Sequence, residues 1–225
     1  MTNKKYEQLN DLINQHLESF EIVKTKHNTN FTLELKKEDL VEICILLKET
    51  KALNFSMLID LCGVDYLDYG LDNWKTLNAS RTGFSRAVED NKFIPDPDET
   101  FLPTRFAVIY HLLSIAHNWR IRLRIYTGIE NPPSVKSVSS IWASANWFER
   151  EAFDLFGIHF DGHPDLRRIL TDYEFIGHPF RKDFPTSGNL EVYYDEEEEK
   201  VKYRPVSITT RPSVPRVIRK EKQNK

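Results

Sequence analysis

An α+β fold is expected, with helices packed on a mostly antiparallel or mixed sheet and an extended C-terminal arm. Three observations predict it. Helical and alternating patterns of apolar residues intermix along most of the chain. Pairs of alternating runs flank short polar turns, the mark of hairpins. The last stretch trades both patterns for prolines and basic residues.

The elements follow in order. "YEQLNDLINQHL" carries Tyr6, Leu9, Ile13 and Leu17 at helical spacing. "FEIVKTKHNTNFTLEL" has two alternating runs around "HNTN", a hairpin signal. "KKEDLVEICILLKET" places Leu40, Ile43, Leu46 and Leu47 on one helical face, and "FSMLIDLCGVDYLDYG" reads as a buried strand ending in a turn. The pattern then lapses from Leu71 to Thr104, a connection of a length expected to be functional, an interaction site or mobile. "RFAVIYHLLS" and "WRIRLRIYTG" pair through "IAHN", with Ile121, Leu123 and Ile125 inward and Arg120, Arg122 and Arg124 outward. A helix is expected from Ser137, as N-cap, to Phe156, with Gly157 as its stop. Loop and turn chemistry follows through Pro185, including His-Pro turns after Gly162 and Gly177. The expected organisation is therefore one α+β domain over residues 1–190, interrupted by the insertion at 71–104. An acidic hinge and a basic, Pro-containing tail occupy 191–225.

Composition narrows the function. With 40% hydrophobic and 29% charged residues, the chain reads as globular and soluble. No apolar run approaches a membrane span, and "MTNKKYEQLN" lacks the apolar core of a secretory signal, so a cytoplasmic chain is expected. Cys44 and Cys62 are too few for a four-thiolate site and sit in apolar runs, as small buried hydrophobes do. The net charge of −3 hides an asymmetry: residues 201–225 hold eight bases and one acid, leaving −10 for the rest. Phosphate-binding glycine loops and a nucleophile elbow are missing from the sequence.

The densest chemistry lies in "EREAFDLFGIHFDGHPDLRRIL", Glu149 to Leu170. Glu149 and Glu151 could act as acids or bases, but two residues on a helix point about 200° apart, which suits no shared site. Arg150 and Asp154, four apart, can bridge along the surface. A helical metal site would need carboxylate and His ligands at i, i+3 or i, i+4, whereas His159, His163 and His178 fall outside the helix. Docking fits better, with an ordinary amphipathic helix and solvated rim as the competing reading. Trp142, Trp147, Phe148, Phe153 and Phe156 exceed the needs of one face, and Arg167, Arg168, Arg181 and Lys182 alternate with Asp165, Asp172 and Asp183.

This stretch resembles the signature of the 30-kilodalton subunit family of NADH:quinone oxidoreductase, respiratory complex I. The residues that carry the resemblance are Glu149–Arg150–Glu151, Asp154, Phe156–Gly157, His163–Pro164 and Arg167–Arg168–Ile169–Leu170, continuing through "LTDYEFIGHPFRKDFP". Glu174, Ile176 and Phe180 depart from the pattern. "DYLDYG", "RFAVIYHLLS", "ASANWFERE" and the tail "YRPVSITTRPSVPRVIR" also look like the family. The resemblance implies a structural, non-catalytic subunit of the peripheral arm, on the cytoplasmic face of the bacterial inner membrane. It implies no cofactor on this chain, with FMN and iron–sulfur clusters carried elsewhere in the complex. Implied partners are the quinone-site and terminal-cluster proteins of the same arm. The residues expected at interfaces are Glu149, Arg150, Glu151, Phe153, Asp154, Phe156, Gly157, His163, Pro164, Arg167, Arg168, Arg181, Lys182 and Asp183.

The tail then reads as an arm. Pro205, Pro212 and Pro215 keep it extended, the acidic run Asp195–Glu199 separates it from the body, and Lys202 to Arg219 would lie on an acidic partner surface. Three other readings compete: a nucleic-acid or anionic-membrane binder working through the tail, a metalloenzyme built on the His-Pro loops, and the equivalent component of a membrane-bound hydrogenase. The acidic body opposes the first, the missing ligand spacing the second, and the 71–104 insertion and the tail the third.

Overall fold

The computed structural model describes residues 3–27, 30–67, 69, 75–76, 88–89 and 104–208. Its elements are α1 (Asn3–His16), β1 (Val23–His27), β2 (Asn30–Leu35), α2 (Leu40–Glu49), β3 (Met57–Asp65), β4 (Lys75–Thr76), β5 (Val88–Glu89), β6 (Phe106–Ser114), β7 (Trp119–Tyr126), β8 (Ser134–Lys136), α3 (Ala145–Phe156), β9 (His159–Asp161), β10 (Leu190–Asp195) and β11 (Lys200–Pro205). Compactness divides the chain into one unit of Met1–Leu67 with Pro103–Phe184 and another of Asp68–Leu102 with Pro185–Lys225.

The first unit is an α+β fold on a five-stranded sheet ordered β1-β2-β7-β6-β3. Both expected hairpins form, β1 with β2 and β6 with β7. Asn118, closing the second turn, takes the left-handed conformation (φ 53°) that asparagine tolerates better than most side chains. The β2–β7 pair is parallel, so the sheet is mixed. Side chains alternate across it as the sequence spacing predicts. Leu61, Tyr110, Leu123 and Leu33 form one inward row across four strands. On the opposite face Arg122 donates to the Thr32 hydroxyl at 3.0 Å and Arg124 meets Glu34 at 3.3 Å.

Leu9, Ile13 and Leu17 of the first helical stretch, and Leu40, Ile43, Cys44 and Leu47 of α2, share one core with the inward sheet residues. The i, i+3, i+4, i+7 spacing of the α2 set puts it on one stripe. Tyr6 meets Phe31 edge-on, centroids 4.8 Å apart, which seats α1 on β2. α3 packs against β3. Gly63 makes room there, because a Cβ on it would lie 2.7 Å from the Phe156 ring. Cys44 is buried as expected, while Cys62 is half-buried; both are free thiols. No helix among the described residues is long and apolar enough to cross a membrane.

Three expectations change. α3 begins at Ala145 rather than Ser137, because residues 134–136 form strand β8 and the following turn is held by the Glu149 carboxylate. The stretch after Gly157 is not all loop: β9 pairs in parallel with β8. The acidic run expected as a hinge is the turn of a hairpin, since β10 and β11 pair from Leu190–Pro205 to Asp195–Lys200. Of the 71–104 insertion, only the two-residue strands β4 and β5, which pair with each other, and Thr104 are described. The tail beyond Ile208 lies outside the described residues.

Candidate functional site: a loop framed by α3

α3 is amphipathic in the way its spacing predicts. Ala145, Glu149, Ala152, Asp154 and Leu155 are buried, while Trp147 and Glu151 face out. The two glutamates that the 100° step separates do lie on opposite sides. The helix ends at Gly157, whose φ of 72° is left-handed and whose N–H bonds Phe153 O at 2.8 Å. A Cβ on Gly157 would collide with the Arg181 guanidinium and lie 2.6 Å from His178 Nε2. Glycine is needed twice over, for its conformation and for the space.

Asp154 is the hub. Its Oδ2 accepts the N–H groups of Ile169, Leu170 and Thr171 at 3.0, 2.8 and 2.8 Å. Its Oδ1 accepts Arg168 Nη1 at 2.9 Å and the Thr171 hydroxyl. Burial alone would raise its pKa, but Thr171, Leu170 and Ile169 outweigh that and hold it at about 2. The surface bridge expected between Arg150 and Asp154 therefore gives way to an internal pair of Asp154 with Arg168. Arg150 instead donates to the carbonyls of Arg167 and Arg168, each at 3.1 Å. Arg168 also reaches Gly177 O at 3.0 Å, so it staples both ends of the 168–177 turn.

A second anchor sits at the end of β3. Asp65, its side chain fully buried, accepts both Nε and Nη2 of Arg105, at 3.1 and 3.0 Å. It also accepts the N–H of Lys182 at 2.9 Å and of Leu67 at 2.9 Å. Against the cost of burial, Arg105 and then these N–H groups hold its pKa below the usual carboxylate range. Arg105 continues to Asp183 at 2.8 Å. Arg181 donates to Phe156 O at 2.6 Å, and its guanidinium lies 5.0 Å from the Phe106 centroid. His178 donates from Nδ1 to Asp154 O at 2.9 Å, since a carbonyl only accepts.

Most charges read from the sequence thus point into the loop that carries them. Glu149, Asp154, Arg168, Arg181 and Asp183 have partners within this chain. Arg167 pairs with Asp165 at 2.9 Å, and Glu151 and the Lys182 side chain are exposed. Phe153 and Phe156 are half-buried against the core. His163 is held in its turn at the start of the loop, with Pro164 exposed beside it. What the frame presents is apolar: Leu170 at 63% exposure, Tyr173 at 82%, Ile176 at 78% and Phe180 at 58%. Sequence reasoning missed these four as a surface, together with the supporting roles of Asp65, Arg105, Thr171 and His178. Ile176 and Phe180 gave a signal, as departures from the family pattern. Among the described residues no group of three His, Cys, Asp or Glu side chains could hold a metal.

The site thus belongs to an α+β domain that presents an exposed apolar loop on a buried charge frame. The model of the "Respiratory-chain NADH dehydrogenase, 30 Kd subunit" family matches residues 33–190. The C-type subunit of the NADH-quinone oxidoreductase of Coxiella burnetii (strain Dugway 5J108-111) is 53% identical over 188 residues, 84% of this chain and 82% of that protein. The protein of the same name from Hydrogenovibrio crunogenus is 53% identical over 194 residues, 86% of each. The chain belongs to this 30-kilodalton subunit family. Its fold is shared by a chain of the membrane-bound sulfane sulfur reductase, an archaeal respiratory membrane complex, at a TM-score of 0.54 and 18% identity, over 79% of this chain and 86% of that one.

Proposed function

We propose that this chain is the 30-kilodalton component of a proton-translocating NADH:quinone oxidoreductase, where it is a structural and assembly subunit of the peripheral arm. The observation that carries the reading is 53% identity to a protein of that kind across 84% of the chain, with Glu149, Asp154, Arg168 and Gly157 all in working contacts. Its neighbours are the quinone-site and terminal-cluster proteins of the arm. It binds no cofactor of its own; FMN and iron–sulfur clusters of other subunits carry electrons from NADH to quinone. It sits at the cytoplasmic face of the inner membrane, held there through the complex.

Two surfaces support docking as its work. The loop of Leu170, Tyr173, Ile176 and Phe180 is prearranged, which lowers the ordering cost of association. In the β10–β11 hairpin, register puts Leu190, Val192 and Tyr194 opposite Pro205, Tyr203 and Val201 on one exposed apolar face. The other face is polar, with Lys202 bridging Asp195 and Glu198 at 2.6 and 2.7 Å and Arg204 bridging Glu191. A lone two-stranded hairpin is marginal in water, so a partner against that face completes it.

The test is to tag the chain at native level, solubilise membranes gently and identify what co-purifies. Flavin- and cluster-bearing subunits with NADH:quinone activity are expected. A chain that elutes alone from membranes with active NADH:quinone oxidoreductase would overturn the proposal.

A further inference from the structure

In the first unit Glu149 from α3 lies beside His163 from the turn after β9, and the buried Cys44 from α2 and Tyr110 from β6 feel the charge of Glu149. Cys44 and Tyr110 are fully buried and within electrostatic reach of Glu149. The Tyr110 hydroxyl has no hydrogen-bond partner among the described residues. The side chains of Glu149 and His163 are both closed to solvent. Lys48, from α2, is engaged elsewhere, on Ile141 O.

Glu149 holds the turn before α3. Its Oε1 accepts the Val138 N–H at 2.7 Å and its Oε2 accepts the Ser137 hydroxyl at 2.6 Å. Both donors are neutral. Its nearest ion-pairing group among the described residues is His163 Nε2, at 3.9 Å. That ring has other partners. Its Nδ1 accepts the Asp165 N–H at 3.0 Å, so Nε2 carries the proton and donates to Asn146 O, also at 3.0 Å. Among the described residues no cation offsets the burial of a carboxylate here, which favours the neutral acid. In that form Oε2 carries the proton and donates it to Ser137 Oγ, whose own hydroxyl turns to Ser139 Oγ at 2.8 Å, while Oε1 still accepts the Val138 N–H.

His163 is also the cover. Gly162, Pro164 and Asp165, its neighbours in the chain, are exposed, and the only other wall near solvent among the described residues is the 137–139 turn, where Ser137 and Ser139 are half-buried. That turn is bonded to Glu149 itself, whereas His163 commits its ring nitrogens to Asn146 and Asp165, so the His163 side is the less tightly tied to the carboxyl. We propose that Glu149 is a buried proton-binding site: protonated, it keeps the His163–Arg168 turn shut over the start of α3, and loss of its proton to solvent opens that turn. The turn leads straight into the carbonyls of Arg167 and Arg168 that hold Arg150, so the proton governs the root of the apolar loop. The site does not depend on which partners cover that loop.

Hydrogen exchange on the full chain between pH 5.5 and 8.5, corrected for intrinsic rates, tests this. The opening constant for residues 162–168 should rise by up to about tenfold per pH unit across one transition, the slope of a single proton. Glu149→Gln, which mimics the neutral acid, should abolish that slope. Because the variant could fail to fold, the wild-type chain labelled at glutamate side-chain carboxyls gives a second readout by NMR. One glutamate should titrate near neutrality, apart from the rest. Ordinary titration of every glutamate, or an unchanged slope in Glu149→Gln, would overturn the proposal.

Discussion

Asp154 and Glu149 sit five residues apart on one helix, both closed to solvent, and their surroundings drive them in opposite directions. Three backbone N–H groups, a hydroxyl and a guanidinium surround Asp154; one N–H and one hydroxyl serve Glu149. Burial pushes Glu149 up to about 7, with Ser137 and Val138 opposing, while Asp154 is held at about 2. The consequences for stability have opposite signs. Asp154, depressed in the fold, contributes stability that is present above its ordinary value of 3.8 and lost as pH falls towards 2. Glu149, raised in the fold, favours the folded state fully below its ordinary 4.5, and that advantage is lost as pH rises to about 7. Thermal melts of Glu149→Gln against wild type should therefore favour the variant at pH 8 relative to pH 5, by about 3 kcal/mol for a shift of this size. Asp154→Ala leaves three N–H groups and Arg168 without their acceptor, and should cost about 3–5 kcal/mol in denaturant unfolding. Gly157→Ala meets a left-handed backbone and two side chains at once. It should cost more than the ~1 kcal/mol of the backbone term alone, and amounts of assembled complex should fall with it.

At the scale of elements, period decided what was legible. The two sheet hairpins, α1, α2 and the inward face of β7 follow from alternation and helical spacing, because each buries one face of a regular element. The start of α3 did not follow. Ile141 and Ala145 continue the apolar stripe, and both are buried, but Ile141 sits in a turn fixed by a carboxylate twelve residues downstream of Ser137. No local pattern announces that bond. The β10–β11 hairpin was hidden by its charge. Five consecutive acids read as mutual repulsion, yet Asp195 caps the turn by accepting the N–H groups of Glu197 and Glu198, and Lys202 neutralises both Asp195 and Glu198. The hairpin makes its own prediction. Its amides should exchange quickly in the isolated chain and slowly in the assembled complex, as hydrogen exchange on both would measure. Equal rates in the two would mean that its apolar face stays uncovered.

For the molecule as a whole, family membership was readable because the motif residues fall in one stretch, Glu149 to Leu170, whose members the fold ties to one another. Their orientation was not readable. Arg168, Arg181 and Asp183 looked like a strip for a partner, and only the fold shows that Asp154, Phe156 and Arg105 take them first. The surface left over is apolar, and it rests on residues as distant in sequence as Asp65 and Lys182. Substitutions in the frame should therefore lower the quantity of complex, while Tyr173→Ala or Ile176→Asp should leave the isolated fold intact and weaken association. Melting curves together with native gels of membranes would separate the two. A truncation after Ile208 keeps the hairpin whole and tests the basic tail by itself.

The clasp of Asp65 with Arg105 has a practical side. Tyr66 N–H meets Arg105 O at 2.7 Å, so the last described sheet residues on either side of the insertion are clasped to each other. Tyr66 and Arg105, which flank the stretch from 68 to 102 in the sequence, are therefore neighbours in the sheet. A foreign domain with adjacent termini could replace that stretch without asking the sheet to move. The clasped pair is thus a place to try a fluorescent reporter or an affinity handle in the interior of the sequence, leaving both chain ends untouched.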